Sequence, residues 1–377
     1  MWLAELRLRD FRNYGRADLV FDSGMTVLIG ANAQGKSNLL ESVYTAAMGR
    51  SPRASADTDL IRFGQDRAYV RAEVRGPRAD TLEIAVDRTT GEKRTKVNGV
   101  AVQRGQLLGR LGVVFAGPLD DDVVRGAPGA RRRLLDAALS QASPSYYFTL
   151  TRYLRVVRQR NRLLAEGAGS AALEPWDEQF VALGATVVER RRGFVRALAA
   201  RAASRHARIA AGAERLDAVY VCTADDHPAG AGANESGGPV PRAADAKALA
   251  RALAARRGEE LRRRTSLIGP HRDDLRITVN GIDLRVFGSR GQQHTAALSL
   301  RLGEAELLRD ELGTWPVLLL DDVLADLDPA RQITLLRELA EPQVLLTHTV
   351  APLPAGVSLR TLIVRGGTVA AGADVRA

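Results

Sequence analysis

The chain has 377 residues, of which 45% are hydrophobic and 26% are charged, a composition typical of a folded globular protein of about two domains. Its formal net charge of +10 comes almost entirely from arginine and favours a polyanionic partner, although solvated surface charge accounts for part of the arginine content. The single cysteine, Cys222, excludes an intrachain disulfide and a cysteine-based metal cluster.

The N-terminal region predicts two strands. Residues 3–8 alternate apolar and polar side chains, as a half-buried strand does, and residues 17–21 predict a second strand. Because charged residues occur at once, this beginning does not resemble a signal peptide. No apolar run reaches the roughly 18 residues that a membrane span requires. We therefore expect a cytoplasmic protein that has no membrane partner.

A phosphate-binding loop follows the apolar run at residues 26–29. The spacing GxxxxGK[ST] lies between this predicted strand and a helical pattern that runs from Lys36 to about residue 48. Its glycines let the backbone come close to a polyphosphate, Lys36 can reach the β- and γ-phosphates, and Ser37 offers an oxygen to Mg²⁺. The order of strand, loop and helix argues against a chance glycine-rich turn. The predicted nucleotide-binding residues of the loop are Gly30, Ala31, Asn32, Ala33, Gln34, Gly35, Lys36, Ser37 and Asn38.

The region after this helix contains a basic loop and several predicted strands. Arg50 and Arg53 are either charges at the C-terminal end of the helix or contacts to phosphate, and the sequence favours neither. Alternating patterns predict antiparallel strands at 68–74, 81–87 and 93–97, with a hairpin turn at Asn98-Gly99. A short buried strand is predicted at 113–115.

The middle of the chain is predominantly helical and rich in arginine. Helices are predicted from Pro144, over 176–211 and over 243–264, with a flexible loop at 228–242. These helices are too short for a long coiled-coil arm. Their basic faces are either solvated or bind nucleic acid, and we favour nucleic acid for some of the arginines. The arginines in question belong to the first two of these helices and are Arg152, Arg155, Arg158, Arg160, Arg162, Arg190, Arg191, Arg192, Arg196, Arg201 and Arg205. The third helix ends in Arg262, Arg263 and Arg264.

The C-terminal part supplies a second set of candidate catalytic residues. A strand over 275–279, an Asn280-Gly281 hairpin and a strand over 282–287 are predicted first. The apolar run 317–320 then ends in Asp321 and Asp322, where a P-loop ATPase holds Mg²⁺. Asp321 is the predicted metal partner through water, and Asp322 would orient or deprotonate the attacking water. Helix capping by the two carboxylates is less favoured because of the phosphate-binding loop.

Two further features bear on the nucleotide. Ser289 is a natural helix N-cap, and with Arg290, Gly291 and Gln292 it predicts a second anion site. Two phosphate sites on one chain suggest a head-to-tail dimer in which each nucleotide is closed by the other subunit. His348, at the end of a later apolar strand, either contacts the γ-phosphate or has a structural role.

These motifs resemble those of the ABC-type ATPase heads of the SMC family. Residues 10–14 (DFRNY), Arg160-Asn161, Trp176-Asp177, 269–271 (GPH) with Asp274-Leu275, and 325–328 (ADLD) are similar to the RecF family of recombination mediators. The resemblance covers essentially the whole chain. It implies an α/β fold: an ABC-type P-loop ATPase head with an inserted, mainly helical lobe domain and no long coiled coil. Residues 1–117 and 266–377 would form the head, and 118–265 the lobe.

The resemblance also implies a function and the residues that perform it. RecF-like proteins are weak DNA-dependent ATPases that dimerise on ATP, bind double-stranded and gapped DNA, and work with RecO and RecR to load RecA. Carried over, Lys36, Ser37 and Asp321 would hold MgATP, and Asp322 would be the base. Ser289 and Gly291 would close the site across the dimer. The role of His271 and Arg272 does not follow from the resemblance.

Arg12 and Asn13 belong to the same family-like stretch at residues 10–14, and the resemblance implies that they contact the nucleotide. Asp322 stands where ABC transporters usually have Glu, and its shorter side chain predicts slow hydrolysis. The alternatives are an ABC-type subunit of a transporter, another SMC-like chromosome-maintenance ATPase, or a P-loop kinase. Binding to plain duplex DNA would argue against the transporter, and a phosphorylated small-molecule product would identify the kinase.

Overall fold

The computed structural model describes residues 1–210, 212, 214–225, 241–325, 327–349 and 359–372. Most of the predicted flexible loop at 228–242 lies outside these residues, as does Asp326. The strands are β1 (Trp2–Phe11), β2 (Tyr14–Val20), β3 (Met25–Ile29), β4 (Arg67–Arg75), β5 (Asp80–Asp87), β6 (Lys93–Val97), β7 (Val100–Ala101), β8 (Val113–Ala116), β9 (Leu216–Val221), β10 (Asp274–Val279), β11 (Ile282–Asp283), β12 (Val317–Leu320), β13 (Val344–His348), β14 (Arg360–Arg365) and β15 (Thr368–Ala371). The helices are α1 (Lys36–Met48), α2 (Arg104–Leu107), α3 (Asp121–Val124), α4 (Pro128–Ala142), α5 (Pro144–Ala165), α6 (Ser170–Ile209), α7 (Arg242–Arg263), α8 (Leu284–Phe287), α9 (Arg290–Leu312) and α10 (Pro329–Glu338).

The chain forms two compact units. The first comprises residues 1–121, 205–213 and 294–377, and the second comprises 122–204 and 214–293. These limits differ from the predicted domains, which assign residues 266–293 to the head. The difference arises because β10 pairs along its whole length with β9, and this pairing keeps residues 274–279 in the second unit.

The first unit contains two six-stranded sheets. One is antiparallel, in the order β2-β1-β4-β5-β6-β7. The other has the order β15-β14-β3-β13-β12-β8 and is parallel except for β15. Helix α1 contacts strands of both sheets and is buried on nearly all sides, and its buried residues include the polar Glu41, Ser42 and Thr45. The phosphate-binding loop is therefore fixed to the core at both of its ends.

The second unit combines α4, α5, α7, α8 and most of α6 with the antiparallel sheet β11-β10-β9. The predicted strand over 282–287 is wrong beyond residue 283. After the tight turn, Asp283 accepts a hydrogen bond from the backbone N of Arg285 at 2.9 Å and caps the short helix α8. Helix α6 begins at Ser170, six residues before the predicted start, and includes Pro175.

Several arginines of the second unit are structural. Arg160 is fully buried; its Nε donates to Asp177 at 2.6 Å and its Nη2 donates to Glu260 at 2.6 Å. Arg191 and Arg192 are buried as well. They pair with Asp136 at 2.8 Å and with Asp225 at 2.7 Å, respectively. The hypothesis of nucleic acid contact is therefore wrong for these three arginines, because each already neutralises a carboxylate inside the fold.

The family-like stretch at 269–275 joins several elements of the second unit. Gly269 has a φ of +106°, and a Cβ there would lie 2.6 Å from the Phe180 ring. The carbonyl of Pro270 accepts a hydrogen bond of 2.6 Å from Arg191, and His271 Nδ1 shares one of 2.8 Å with the Tyr153 hydroxyl. Burial lowers the pKa of His271 to about 3. This stretch has a packing role, which the sequence did not reveal.

Candidate nucleotide-binding site

The phosphate-binding loop connects β3 to α1 as predicted. Gly35 has a φ of +116°, and a Cβ at this position would lie 2.6 Å from the Asn13 side chain. A Cβ on Gly30 would lie 2.3 Å from the carbonyl oxygen of Val364 in β14. The glycines are thus required by close neighbours in the fold, in addition to any requirement from a bound phosphate.

Lys36 points back into the loop. Its Nζ donates hydrogen bonds to the carbonyl oxygens of Gly30 at 2.6 Å and Ala31 at 2.9 Å. Burial lowers the pKa of Lys36, and the nearby charges of Asp322 and Asp321 oppose this shift. The ammonium group is therefore held within the curve of the loop.

Side chains from the first hairpin hold the loop from one side. Asn13 Nδ2 donates to the carbonyl of Gln34 at 3.0 Å, and the Tyr14 hydroxyl donates to the carbonyl of Gly35 at 2.9 Å. Asn38 Nδ2 donates to Asn13 Oδ1 at 2.9 Å. The predicted nucleotide contact by Asn13 stays a prediction. What the structure establishes is that Asn13 supports the backbone of the loop.

The turn between β14 and β15 supports the loop from another direction. The backbone N of Gly366 donates to Gln34 Oε1 at 2.8 Å, and that of Gly367 donates to the carbonyl of Gln34 at 3.0 Å. These contacts join residues more than 330 positions apart in the chain. Only the sheet order β14-β3 brings them together, so no local sequence signal could have predicted them.

A buried carboxylate, Glu41, organises the arginines next to α1. Arg12 donates to it through Nε at 2.9 Å and Nη2 at 2.7 Å, Arg53 donates at 2.7 Å, and Ser51 donates at 2.5 Å. Burial alone would raise the pKa of Glu41, but the hydrogen bonds from Arg12 and Ser51 and the charge of Arg53 lower it overall. The role of Glu41 could not be predicted from the sequence, because no local pattern distinguishes a helical glutamate that pairs with two arginines.

The contacts of Arg53 in this cluster decide between the two interpretations of that residue of the basic loop. Arg53 donates to the carbonyl of Ser37 at 3.1 Å and to Asn38 Oδ1 at 3.0 Å. It therefore lies at the N-terminal part of α1, and its interpretation as a charge at the C-terminal end of that helix is wrong. Contacts of Arg12, Arg50 and Arg53 with phosphate stay predictions.

The candidate catalytic carboxylates lie at the carboxyl ends of the central parallel strands. Strand β12 pairs with β13, and β13 pairs with β3, so their ends meet at one edge of the sheet. Ser37 Oγ donates to Asp321 Oδ1 at 2.8 Å, and the Thr347 hydroxyl donates to the same oxygen at 2.8 Å. The Thr347 hydroxyl in turn accepts from the backbone N of Asp322 at 2.9 Å. Thr347 is a site residue that motif reading missed, although its position at a strand end next to β12 was the available signal.

Asp322 and His348 lie near Lys36. Asp322 has a φ of +55°, a conformation in which non-glycine residues are uncommon. Burial lowers the pKa of His348, while the charge of Asp322 raises it and that of Lys36 lowers it further. The buried Nδ1 of His348 has no hydrogen-bond partner among the residues that the structure describes. The structure thus places the four predicted catalytic residues, Lys36, Asp321, Asp322 and His348, in one neighbourhood.

The residues present fit a magnesium ion. The Ser37 hydroxyl and the Asp321 carboxylate are hard oxygen donors, and they already lie in hydrogen-bond contact with each other. Mg²⁺ prefers such ligands and usually takes one or two from the protein, completing its shell with phosphate oxygens and water.

The second predicted anion site lies in the second unit. Ser289 and Gln292 form a capping box: Gln292 N donates to Ser289 Oγ at 3.2 Å, and Ser289 N donates to Gln292 Oε1 at 3.0 Å. The predicted N-cap is therefore confirmed. Ser289, Arg290 and Gly291 are exposed, and Gln292 also donates to Glu214 at 2.9 Å. Anion binding by this segment stays a prediction.

Within the described part of the chain, no helix is both long enough and apolar enough to cross a membrane. The site geometry is that of a P-loop nucleotide-binding protein.

The family model "RecF/RecN/SMC N terminal domain" matches residues 2–349. The chain is 36% identical over 356 residues to the DNA replication and repair protein RecF of Alkaliphilus oremlandii, covering 93% of each protein. It is 39% identical over 348 residues to RecF of Geobacillus kaustophilus, covering 89% of each. Its fold is similar to that in the "Structure of the recombination mediator protein RecF-ATPrS in RecFOR pathway", with a TM-score of 0.87 and 33% identity over 99% of this chain and 98% of that one. The chain therefore belongs to the RecF family.

Proposed function

We propose that this protein is an ATP-dependent, DNA-binding recombination mediator of the RecF type. ATP would drive two copies together around duplex or gapped DNA, and slow, DNA-stimulated hydrolysis would release them. The proposed binding of ATP is supported above all by the contact between Ser37 and Asp321, which joins the start of the phosphate-binding helix to the end of β12. The net charge of +10 and the family membership support the DNA part.

The first proposed step is the binding of the triphosphate by the loop. The backbone amides of residues 30–38 and the N-terminal end of α1 would surround the β- and γ-phosphates. Lys36, now donating to two loop carbonyls, would exchange these contacts for phosphate oxygens. Asn13 and Asn38 would keep the loop in shape through their own hydrogen bond.

Ser37 and Asp321 would hold the magnesium ion, Asp321 through water. When bound, the ion would neutralise charge on the phosphate oxygens. Thr347 keeps the Asp321 carboxylate oriented, because its hydroxyl donates to the same oxygen as Ser37 does.

Asp322 is proposed as the base that orients the attacking water and accepts its proton. An aspartate reaches less far than the glutamate of transporter ATPases, and this supports a slow switch rather than a fast motor. His348 would contact the γ-phosphate, because it lies near Lys36 and its buried Nδ1 has no hydrogen-bond partner among the described residues. Its low pKa favours the neutral ring, which can donate one hydrogen bond and accept another.

The Ser289 segment would close the nucleotide site of a second copy. Ser289 is exposed, and its hydroxyl and the first amides of α9 would bind the phosphate of that nucleotide, as the motif predicts. The similar solved structures are named for the RecFOR pathway, so RecO and RecR are the proposed partners. The family resemblance implies RecA loading as the outcome. The transporter alternative is not favoured, because the relatives described above are DNA replication and repair proteins.

Sedimentation velocity with and without ATP, Mg²⁺ and duplex DNA tests this proposal. The wild type should become dimeric with MgATP and bind duplex, whereas Lys36→Met and Ser289→Arg should stay monomeric. Lys96→Met and Ser170→Arg are matched controls, because both replace exposed residues away from the proposed site. A wild-type protein that stays monomeric with MgATP, together with DNA binding unaffected by Lys36→Met, would overturn the proposal.

A further inference from the structure

Helix α5 has an unusual charge distribution. Its 22 residues include five arginines and no aspartate or glutamate. With about 100° of rotation per residue, the buried side chains at 146, 150, 153, 156, 157, 160 and 164 lie on one side of the helix. Arg152, Arg155, Arg158 and Arg162 lie on the other side, within an arc of about 120°, and all four are exposed.

The arginines on the two sides of α5 differ in their ion-pair partners. Arg160, on the buried side, is neutralised by Asp177 and Glu260. On the exposed side, Arg162 pairs with Glu166 at 2.9 Å. Arg152, Arg155 and Arg158 have no ion-pair or hydrogen-bond partner among the residues that the structure describes. We call these three the α5 stripe.

Exposed arginines on another helix of the same unit do have carboxylate partners. On α7, Arg256 and Arg263 both pair with Glu259, at 2.7 Å and 2.9 Å. The α5 stripe has no such carboxylate on its own helix, so three cations spaced by one helical turn repel one another. An anion with several evenly spaced charges would relieve this repulsion.

We propose that the α5 stripe is a binding surface for the phosphate backbone of duplex DNA. The stripe extends for about 9 Å along the helix, and duplex DNA presents one phosphate charge for about every 1.7 Å of its axis. Several phosphates are therefore within reach of three side chains at once. Arginine suits this role, because its planar guanidinium donates paired hydrogen bonds to phosphate oxygens.

The lack of any acidic residue on α5 also bears on the class of partner. Protein interfaces usually combine an apolar centre with a polar rim. The α5 stripe offers charge of one sign, and the only large apolar side chain exposed beside it on this helix, within the described residues, is Phe148, which is too little for an apolar centre. Contacts from the three guanidinium groups would depend on the backbone of the DNA and not on its sequence. This inference rests on the proposed DNA-binding function and deepens it by naming the residues that contact DNA.

The test is the salt dependence of duplex binding by the full chain, using the triple variant Arg152→Gln, Arg155→Gln and Arg158→Gln. Three lost contacts should reduce the slope of log K against log salt by about 2.7 and weaken binding by about tenfold or more near 0.1 M salt. The matched control is Arg256→Gln, Arg262→Gln and Arg263→Gln, which removes the same charge from α7 and should change the slope much less. Circular dichroism and ATP binding verify that both variants are folded.

The outcomes separate this inference from the proposed function. A stripe variant with the wild-type slope, or with the same loss as the α7 control, overturns the inference while the DNA-binding function stands. A wild type that does not bind duplex overturns both. Unchanged duplex binding with lost binding of an acidic protein would assign the stripe to a protein partner and equally overturn the inference.

Discussion

Ser37 and Asp321 are 284 positions apart in the chain, yet the Ser37 hydroxyl donates a hydrogen bond of 2.8 Å to Asp321 Oδ1. Thr347 donates to the same oxygen at 2.8 Å from the neighbouring strand. One carboxylate oxygen therefore connects the phosphate-binding loop with the ends of two parallel strands.

Ser37→Ala should reduce ATP affinity by about tenfold or more in the presence of Mg²⁺, because it removes one proposed oxygen ligand. In excess EDTA, the variant and the wild type should bind ATP equally. Ser42→Ala is the control, since the Ser42 hydroxyl donates only to the Leu39 carbonyl of the same helix. Titration calorimetry with and without Mg²⁺ measures the difference. An equal loss of affinity in EDTA would argue against a role for Ser37 at the metal.

Thr347→Val should slow ATP hydrolysis and lower the free energy of unfolding by about 1–3 kcal/mol, because it leaves the backbone N of Asp322 without its acceptor. The change keeps the volume nearly constant. Thr45→Val is the control, because the buried Thr45 hydroxyl donates within α1, to the carbonyl of Glu41. ATPase assays and urea unfolding of both variants test this expectation. Normal hydrolysis by Thr347→Val would show that the orientation of Asp321 and Asp322 does not depend on this residue.

Glu41→Gln should lower the free energy of unfolding by about 3 kcal/mol at neutral pH, because it leaves Arg12 and Arg53 facing an uncharged group. The folded protein lowers the pKa of Glu41 below its ordinary value of 4.5. The contribution of the charged Glu41 to the free energy of unfolding is therefore complete above about pH 4.5 and is lost as the pH falls below that value.

Urea unfolding of the wild type and Glu41→Gln should thus differ most at neutral pH, and the difference should shrink in acid. Glu166→Gln removes an exposed partner of Arg162 and should lower the free energy of unfolding by less than about 1 kcal/mol. A difference between the wild type and Glu41→Gln that does not change with pH would contradict the assigned charge state.

His271 should make the protein less stable in mild acid. Its pKa is about 3 in the folded state and 6.5 ordinarily, so the unfolded chain takes up a proton first as the pH falls. The stability that depends on neutral His271 is present above pH 6.5 and decreases as the pH falls towards 3, by about 1.4 kcal/mol per pH unit. His271→Asn should remove this dependence.

Unfolding midpoints between pH 7.5 and 4.5 provide the measurement. Tyr153→Phe serves as the comparison, because it removes the hydrogen bond to His271 but leaves the imidazole buried. It should retain the pH dependence. A wild-type stability that stays constant from pH 6.5 to 4.5 would contradict the burial of neutral His271.

Local features of the fold could be predicted from the sequence, because they depend on a few adjacent residues. The Asn98-Gly99 and Asn280-Gly281 turns have positive φ at both positions, as the hairpin pattern predicts. The strand, loop and helix around Lys36 and the N-cap at Ser289 also lie where the sequence places them.

Features that depend on strand order could not be predicted in this way. Thr347 and the turn at Gly366-Gly367 reach the site only because β13 and β14 flank β3. The arginine pattern was misleading for a similar reason. Arg160 and Arg191 occur in the same basic stretches as exposed arginines, and only their distant carboxylate partners, Glu260 and Asp136, distinguish them.

The position of β3 between β13 and β14 has a consequence for biosynthesis. The antiparallel sheet uses strands from the first 101 residues and can form early on the ribosome. Strand β3 gains neither neighbour until residues 344–365 have been translated. The segment that carries Lys36 therefore emerges early and remains without its sheet partners during most of translation. Nascent chains truncated before residue 344 should be unable to retain nucleotide.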